Sequence, residues 1–157
     1  TAAVTLAQPR TPAPACDYDV LGNASAGAAH HVTAASSSGT SVEAGRSRRY
    51  SGMFVPGSWF EFDLGITAGK PFLMRVVETY DKAQVKDYTL WVNGKVVLHR
   101  LISHKGAGGL ETFQFLVDDP TLLTSSTVRV RAQFNDTATG YDPSIADAWS
   151  LPVPSQP

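Results

Sequence analysis

The sequence KDYTLWVNGKVVLHRL, residues 86–101, decides the fold of this chain. Asn93-Gly94 lies between two β-prone runs, and this dipeptide tolerates the positive φ angles that a two-residue type I′ turn requires. Such a turn predicts these cross-strand pairs: Val92 with Lys95, Leu90 with Val97 and Tyr88 with His99 on one face, and Trp91 with Val96, Thr89 with Leu98 and Asp87 with Arg100 on the other. One face is apolar near the turn and the other carries a tryptophan. We therefore expect this hairpin in the middle of a sheet.

The rest of the chain shows the same alternation of apolar and polar residues. In WFEFDL (59–64) and TVRVRAQF (127–134), apolar side chains recur at every second position. The predicted strands are 17–21, 30–34, 59–64, 72–80, 110–117, 127–134 and 145–151. We predict loops at 23–29 and 36–40 and a short helical turn or loop over 119–126, whereas 47–52 favours no structure. Because no segment keeps a helical pattern over three turns, the sequence predicts an all-β antiparallel β-sandwich of the jelly-roll type.

Composition narrows the classes of function. The 157 residues are enough for one domain with a substantial core, and 13 basic against 14 acidic residues leave a net charge of −1. Neither a basic field for nucleic acid nor an apolar run of about 20 residues for a membrane span is present. Charged residues make up only 17% of the chain, which is typical of a secreted β-domain. The single cysteine, Cys16, cannot form an internal disulfide, and we interpret it as a thiol of a tail or first strand.

The two ends of the chain differ from its middle. Residues 1–15 contain three prolines among small residues, and residues 151–157 contain three more. We predict a Pro/Ala-rich linker over residues 1–16, a β-sandwich module over 17–152 and a tail over 153–157. Such flanks are typical of a module cut from a longer, multidomain chain.

The order of these segments resembles a known family. The series GSWFEFDL, GKPFLMRVVETYD, YTLWVNGKVVLHRL, ETFQFLV, TVRVRAQFN and IADAWSL is similar to galactose-binding-like, carbohydrate-binding-module-like β-sandwiches appended to secreted bacterial glycoside hydrolases. In particular it resembles the C-terminal module of β-L-arabinofuranosidase-type glycosidases of the DUF1680-related family. Two sequence motifs that recur in that family are matched loosely by residues 57–64 and 81–94. This chain departs from them in two places: Asn93-Gly94 replaces an acidic-Gly turn, and Lys86 or Asp87 occupies the position of an arginine.

The sequence offers little evidence for a catalytic site. Glu61 and Asp63 alternate on one strand and would lie ~7 Å apart on one face, a spacing that overlaps that of a glycosidase acid/base pair. A solvent-facing strand explains the same pattern, and a small sandwich offers no deep cleft around it. For His30-His31 we expect one ring buried and the other exposed, because adjacent strand residues face opposite ways. The sequence therefore predicts a protein that is not an enzyme.

Sugar binding requires an aromatic face and planar hydrogen-bonding side chains, which a β-sandwich can offer at its loop ends or on a sheet face. The loop-end candidates are Arg48, Arg49 and Tyr50 from one loop and Asn135, Asp136 and Tyr141 from another. The sheet-face candidate is Trp91 with Asp87 and Arg100. Each set has a structural alternative: Asn135-Asp136 as an Asx-turn, Tyr50 in the core, and Trp91 buried beneath the other sheet.

The resemblance also implies a structural calcium near the first and last strands, with Glu43 and Asp147 at similarly placed positions. Asp147 lies in the otherwise apolar IADAWSL, where an unpaired carboxylate would be costly, so the sequence predicts either a cation or an arginine beside it.

Together these features predict a secreted, non-catalytic accessory module that binds a polysaccharide or oligosaccharide for an attached glycoside hydrolase catalytic domain. The alternatives are a structural domain that packs on the catalytic domain without binding sugar, and a small independent hydrolase.

Overall fold

The computed structural model describes residues 4–6, 15–135 and 140–154. The strands are β1 (Val4–Leu6), β2 (Asp17–Val20), β3 (Thr33–Ala34), β4 (Gly39–Glu43), β5 (Arg46–Tyr50), β6 (Trp59–Gly65), β7 (Phe72–Tyr80), β8 (Gln84–Val92), β9 (Lys95–His104), β10 (Gly109–Val117), β11 (Thr127–Phe134) and β12 (Ser144–Pro152). A short helix, α1 (Ala24–Ala29), follows β2, and a 3-10 turn (Pro120–Leu122) precedes β11.

The described strands form two antiparallel sheets. The first has the order β1-β10-β7-β12-β5-β4, and β12 also pairs with β2 along its second half. The second has the order β3-β6-β11-β8-β9. The predicted all-β antiparallel sandwich is confirmed. No helix in the described ranges is long and apolar enough to cross a membrane.

The core lies between the two sheets and follows the period of two read from the sequence. Along β6 and β11 every second side chain is buried, while the alternate ones are half-buried, apart from the exposed Thr127. The largest fully buried side chains are Trp149, Tyr80, Tyr88, Phe60, Phe62, Phe72, Phe113, Phe115, Leu21, Leu64, Met74 and Leu90. Of these, Trp149 belongs to a second, smaller apolar cluster with Val77, Ala146 and Leu151. Burying about a dozen large side chains supplies the main favourable free energy of folding.

The β8–β9 hairpin has the predicted turn but not the full predicted register. Asn93 and Gly94 have φ angles of 49° and 79°, as a type I′ turn requires. Val92 and Trp91 pair with Lys95 and Val96, and the register then shifts, so that the next pair is Leu90 with Leu98. The predicted pairs beyond that point are wrong: Leu90–Val97, Thr89–Leu98, Tyr88–His99 and Asp87–Arg100.

The shift is a β-bulge, which places one extra residue on β9. A one-residue slip exchanges the two faces of a strand. Arg100 therefore lies opposite Tyr88 and turns into the protein, whereas Leu101 pairs with Asp87 and is exposed.

Inside the sandwich, Arg100 meets a buried carboxylate. Glu78 has no solvent exposure, and Arg100 donates to both of its oxygens, from Nε at 2.9 Å and from Nη2 at 3.0 Å. The hydroxyl groups of Tyr80 (2.7 Å) and Tyr88 also donate to Glu78. The guanidinium lies 4.1 Å from the centre of the Phe113 ring. This bidentate, fully hydrogen-bonded pair is the form in which a buried ion pair is tolerated.

Four local assignments differ from the sequence prediction. Residues 24–29 form α1 rather than a loop, because the Asn23 side chain caps the helix by accepting from the Ala26 N–H. The predicted strand at 30–34 shortens to Thr33–Ala34, and Gly39–Glu43 is a strand where part of a loop was expected. Val4–Leu6 forms a strand inside the predicted linker.

Candidate functional site

A pocket at one end of the sandwich brings together segments that lie far apart in sequence. It has a volume of about 200 Å³, and we call it the end pocket. Arg48 and Tyr50 reach it from β5, and Tyr141 reaches it from the segment before β12. These are three of the predicted ligand-binding residues. Its other lining residues are Glu43, Met53, Asp81, Lys82, Gln84, Lys86 and Asp142.

The aromatic part of the pocket is held by backbone contacts. Tyr141 extends the sheet along β8: its N–H donates to the Val85 carbonyl at 2.7 Å, and its carbonyl accepts from Asp87 at 3.1 Å. Tyr50 is the last residue of β5, and the Arg48 guanidinium lies 4.7 Å from the centre of its ring. Both tyrosine residues are half-buried, and the Lys82 ammonium group lies 5.6 Å from the centre of the Tyr141 ring.

Arg48 is oriented by three further contacts. Its Nε donates to Ser41 Oγ at 2.9 Å, its Nη1 donates to Ser144 Oγ at 3.1 Å, and its Nη2 lies 3.2 Å from Glu43 Oε2. Guanidinium and carboxylate are therefore fixed side by side in the wall of the pocket, as a planar donor next to an acceptor. This is the combination that recognises neighbouring hydroxyl groups.

Lys86 supplies a buried cation to the same pocket. It is 3% exposed, and its Nζ donates to the Asp142 carbonyl at 3.1 Å and lies 5.4 Å from the centre of the Tyr80 ring. Burial lowers the pKa of its ammonium group, while the nearby carboxylate of Asp142 opposes that shift. An ammonium group has three donors, so Lys86 retains capacity to donate to a bound molecule.

Asp142 braces the loop beside the pocket. Its Oδ2 accepts from the backbone N–H groups of Ser51 (3.1 Å) and Gly52 (2.9 Å). Neither Asp142 nor Lys86 is among the ligand-binding residues predicted from the sequence. Only the Asp142-Pro143 dipeptide, typical of a tight turn, marked this position.

Three other predicted ligand residues lie away from the end pocket or outside the described part. Arg49 turns to the opposite side of β5, where its Nη1 donates to Ser38 Oγ at 3.0 Å. Asn135 accepts from Thr89 Oγ1 at 2.9 Å and donates to Asp87 Oδ1 at 2.7 Å, so both ends of its amide are bound within the protein. Asp136 lies outside the described residues.

Trp91 lies on the outer face of the second sheet rather than in the core. It is half-buried and lines a shallow cavity of about 260 Å³ with Glu61, Arg131 and Gln133, among others. Its predicted neighbour Arg100 is not there, because the β-bulge turns that side chain inward. The outer face instead carries ion pairs: Arg131 Nε lies 2.6 Å from Glu61, and Arg129 Nη1 lies 2.9 Å from Asp63. Glu61 and Asp63, the two carboxylates considered as a catalytic pair, are therefore both bound to arginines.

The two carboxylates predicted near calcium each have an arginine partner. Asp147 pairs with Arg46 and also accepts from the Tyr18 hydroxyl at 2.6 Å. Glu43 pairs with Arg48, as described above. Within the described ranges, no cluster of three or more histidine, cysteine, aspartate or glutamate residues has the arrangement of a metal site. Calcium stays a prediction, and the contacts of Asp147 match the arginine alternative.

One of the two adjacent histidines is mostly buried and the other exposed, as expected, but neither lies in a strand: His30 caps the end of α1, and β3 begins only at Thr33. The His30 ring is mostly buried, and its two nitrogens lie 2.9 Å from the Ala26 carbonyl and 3.2 Å from Asp17 Oδ1. His31 has a φ of 53°, and its side chain is 76% exposed.

No protein-family model matches the sequence, and no curated protein matches it. Solved structures do match. A family 35 carbohydrate-binding module from Clostridium thermocellum aligns with a TM-score of 0.53 and 11% identity over 78% of this chain and 92% of the module. A family 35 module from Paenibacillus barcinonensis aligns with a TM-score of 0.54 and 15% identity over 78% of this chain and 93% of the module.

A larger protein contains the same architecture. The Agl-KA catalytic domain aligns with a TM-score of 0.61 and 10% identity over 91% of this chain, which spans only 29% of that structure. At such identities the likeness concerns the fold. The chain folds as a β-sandwich similar to carbohydrate-binding modules.

Proposed function

We propose that this chain is a non-catalytic carbohydrate-binding module and that the end pocket is its sugar site. The observation that carries the proposal is the convergence of Tyr50, Tyr141 and the Arg48–Glu43 pair around one open pocket. The likeness of the fold to family 35 modules supports this assignment.

The chemistry of the pocket suits a sugar. Partly exposed tyrosine rings offer apolar surface to the C–H groups of a sugar ring, while Arg48 and Lys86 donate to hydroxyl oxygens and the carboxylates accept from hydroxyl protons. A volume of about 200 Å³ is smaller than the ~300–1,000 Å³ of pockets for drug-sized ligands. The pocket itself therefore accommodates about one sugar ring.

We further propose that the module is secreted and serves an attached glycoside hydrolase, as the resemblance to β-L-arabinofuranosidase-type glycosidases implies. A segment of similar fold within the much longer Agl-KA chain supports such an arrangement. In this role the module holds the polysaccharide near the catalytic domain and breaks no bond itself.

The test is a binding measurement on the whole chain. Isothermal titration calorimetry against galactose, arabinose, xylose and glucose, with affinity electrophoresis against their soluble polymers, should show saturable binding to at least one sugar. Replacing one tyrosine, as in Tyr141→Ala, should weaken that binding by about five- to thirtyfold, because a buried aromatic contact is worth about 1 to 2 kcal/mol.

Two variants serve as controls for the position of the site. Trp91→Ala alters the outer face of the second sheet, and Asn135→Ala removes an amide that is hydrogen-bonded to β8. Both variants should bind the sugar as tightly as the unaltered chain does. Loss of binding in Trp91→Ala with full binding in Tyr141→Ala would move the site to the sheet face. If no sugar binds, the proposal is wrong, and the structural-domain alternative replaces it.

A further inference from the structure

The loop between β5 and β6 exposes apolar side chains beside the end pocket. Met53, Phe54 and Val55 are consecutive and are 41%, 84% and 44% exposed. Folding gains almost nothing from a phenylalanine that remains in water, so the fold does not account for this side chain.

Phe54 also has an unfavourable backbone conformation. Its φ angle is 66°, in the left-handed region that costs a non-glycine residue about 1 to 2 kcal/mol. The glycines on either side, Gly52 and Gly57, also have positive φ angles, of 136° and 73°. An exposed, strained aromatic residue between two such glycines points to a function outside folding.

The base of this loop is firmly held. Ser58 Oγ donates to the Gly52 carbonyl at 3.0 Å and lies 2.8 Å from Ser51 Oγ, and all three residues are buried. The Gly57 N–H donates to the Phe134 carbonyl at 3.2 Å. Buried hydrogen bonds of this kind fix the direction in which the tip projects, so Phe54 is presented in an ordered way.

The tip is continuous with the end pocket. Met53 lines the pocket, and Phe54 follows it at the ~3.8 Å separation of neighbouring Cα atoms. Asp142 contacts both, since its side chain accepts from the backbone at the start of the loop while its carbonyl accepts from Lys86, which lines the pocket. Phe54 is therefore an exposed aromatic side chain directly next, in the sequence, to a residue of the pocket lining.

We propose that Phe54 forms a second sugar subsite, so that the site recognises a chain of at least two sugar rings. The first ring lies in the end pocket, and the next stacks its apolar face on the exposed phenyl ring. This inference rests on the proposed function and deepens it: the ligand class is an oligosaccharide or the end of a polysaccharide. A protein partner fits less well, because three side chains are far fewer than the ~20–30 residues per side of a stable protein interface.

The experiment compares a single sugar with its oligomer. Titration calorimetry of the whole chain uses galactose with β-1,3-galactotriose, xylose with xylotetraose, arabinose with arabinotetraose and glucose with laminaritetraose. The unaltered chain should bind the oligomer more tightly than the matching monosaccharide. Phe54→Ala should weaken oligomer binding by about three- to tenfold and leave monosaccharide binding unchanged.

Two further variants sharpen the comparison. Phe54→Trp keeps an aromatic face and should retain the preference for the oligomer. Leu101→Ala removes another exposed apolar side chain, 61% exposed on β9, and should change neither affinity. Thermal unfolding of each variant checks that the fold is intact.

The outcomes separate this inference from the proposed function. If monosaccharide binds and Phe54→Ala leaves the oligomer-to-monosaccharide ratio unchanged, the second subsite is wrong and the end pocket stands. If the unaltered chain binds no sugar in the set, the proposed function fails and the subsite fails with it.

Discussion

Asn93 shows how much a single turn residue does in this fold. Its φ of 49° fits the type I′ turn, and its side chain bridges two other segments. Oδ1 accepts from the Arg129 N–H at 2.8 Å, and Nδ2 donates to the Leu122 carbonyl at 3.1 Å. The residue that turns the hairpin therefore also joins it to β11 and to the 3-10 turn.

Replacing this side chain separates its two roles. Asn93→Ala should lower the free energy of unfolding by about 2 to 3 kcal/mol, from left-handed strain plus two lost hydrogen bonds. Asn93→Gly keeps the turn conformation and loses only the hydrogen bonds, so it should cost about half as much. Urea unfolding followed by circular dichroism measures both. Equal losses for the two variants would show that strain at this turn is unimportant.

At the scale of elements, the buried Glu78–Arg100 pair links β7 to the inner face of β9. Removing one partner leaves the other charged and buried without compensation. Arg100→Ala should therefore destabilise the protein by about 3 to 5 kcal/mol, measured by chemical unfolding. The tyrosine hydroxyls that donate to Glu78 cannot neutralise its charge.

The matching control removes both charges. The double variant Glu78→Leu with Arg100→Met should be much more stable than Arg100→Ala, because an apolar pair of similar volume has no desolvation penalty. The loss of stability in the double variant is compared with the sum of the losses in Glu78→Leu and Arg100→Met. If the two are equal, the side chains do not act as a pair.

The same elements show what the sequence could and could not predict. Alternation located β6 and β11 to within a residue at each end, because each has one face against the core. A run of β-prone residues located β7, which is buried on both faces along its second half. The predicted register of the hairpin was wrong beyond the bulge, because a bulge depends on contacts across the sandwich that the hairpin sequence does not show. Here the bulge allows Arg100 to pair with Glu78. The helix α1 was missed because six residues carry too little periodicity to detect.

At the scale of the whole molecule, the site was predictable only in part. Arg48, Tyr50 and Tyr141 were chosen for residue type and loop position, and the fold brings them together. Asn135 was chosen on the same grounds, but its amide is hydrogen-bonded to Thr89 and Asp87 of the neighbouring strand. Lys86 was missed because a lysine in a strand reads as solvent-facing until the sheet that covers it is known.

A second acidic group connects stability to pH. Asp19, on β2, is fully buried, and burial raises the pKa of its carboxyl from 3.8 to about 6, against the opposing charges of His30 and Arg49. His30 Nδ1 lies 3.3 Å from Asp19, but neither Asp19 oxygen has a hydrogen-bond partner among the described residues. Burial lowers the pKa of His30, but the Ala26 carbonyl and Asp17 outweigh it and raise the net value.

Both shifts act on stability in the same direction. Between pH 3.8 and about 6 the folded protein keeps a proton on Asp19 that the unfolded chain has lost, so the stability from this group falls as pH rises through that range. The raised pKa of His30 gives stability that is complete below pH 6.5 and is lost as pH rises further. Two pKa units on Asp19 correspond to at most about 3 kcal/mol.

The variant Asp19→Asn isolates this effect, because asparagine has nearly the same shape and does not titrate. Urea unfolding at intervals from pH 4 to 8 should show the stability of the unaltered protein falling relative to the variant between pH 4 and 6. The charge of Asp19 also helps to raise the pKa of His30, so the fall in stability above pH 6.5 should be smaller in the variant. Parallel curves between pH 4 and 6 would mean that the Asp19 carboxyl titrates alike in the folded and unfolded chains.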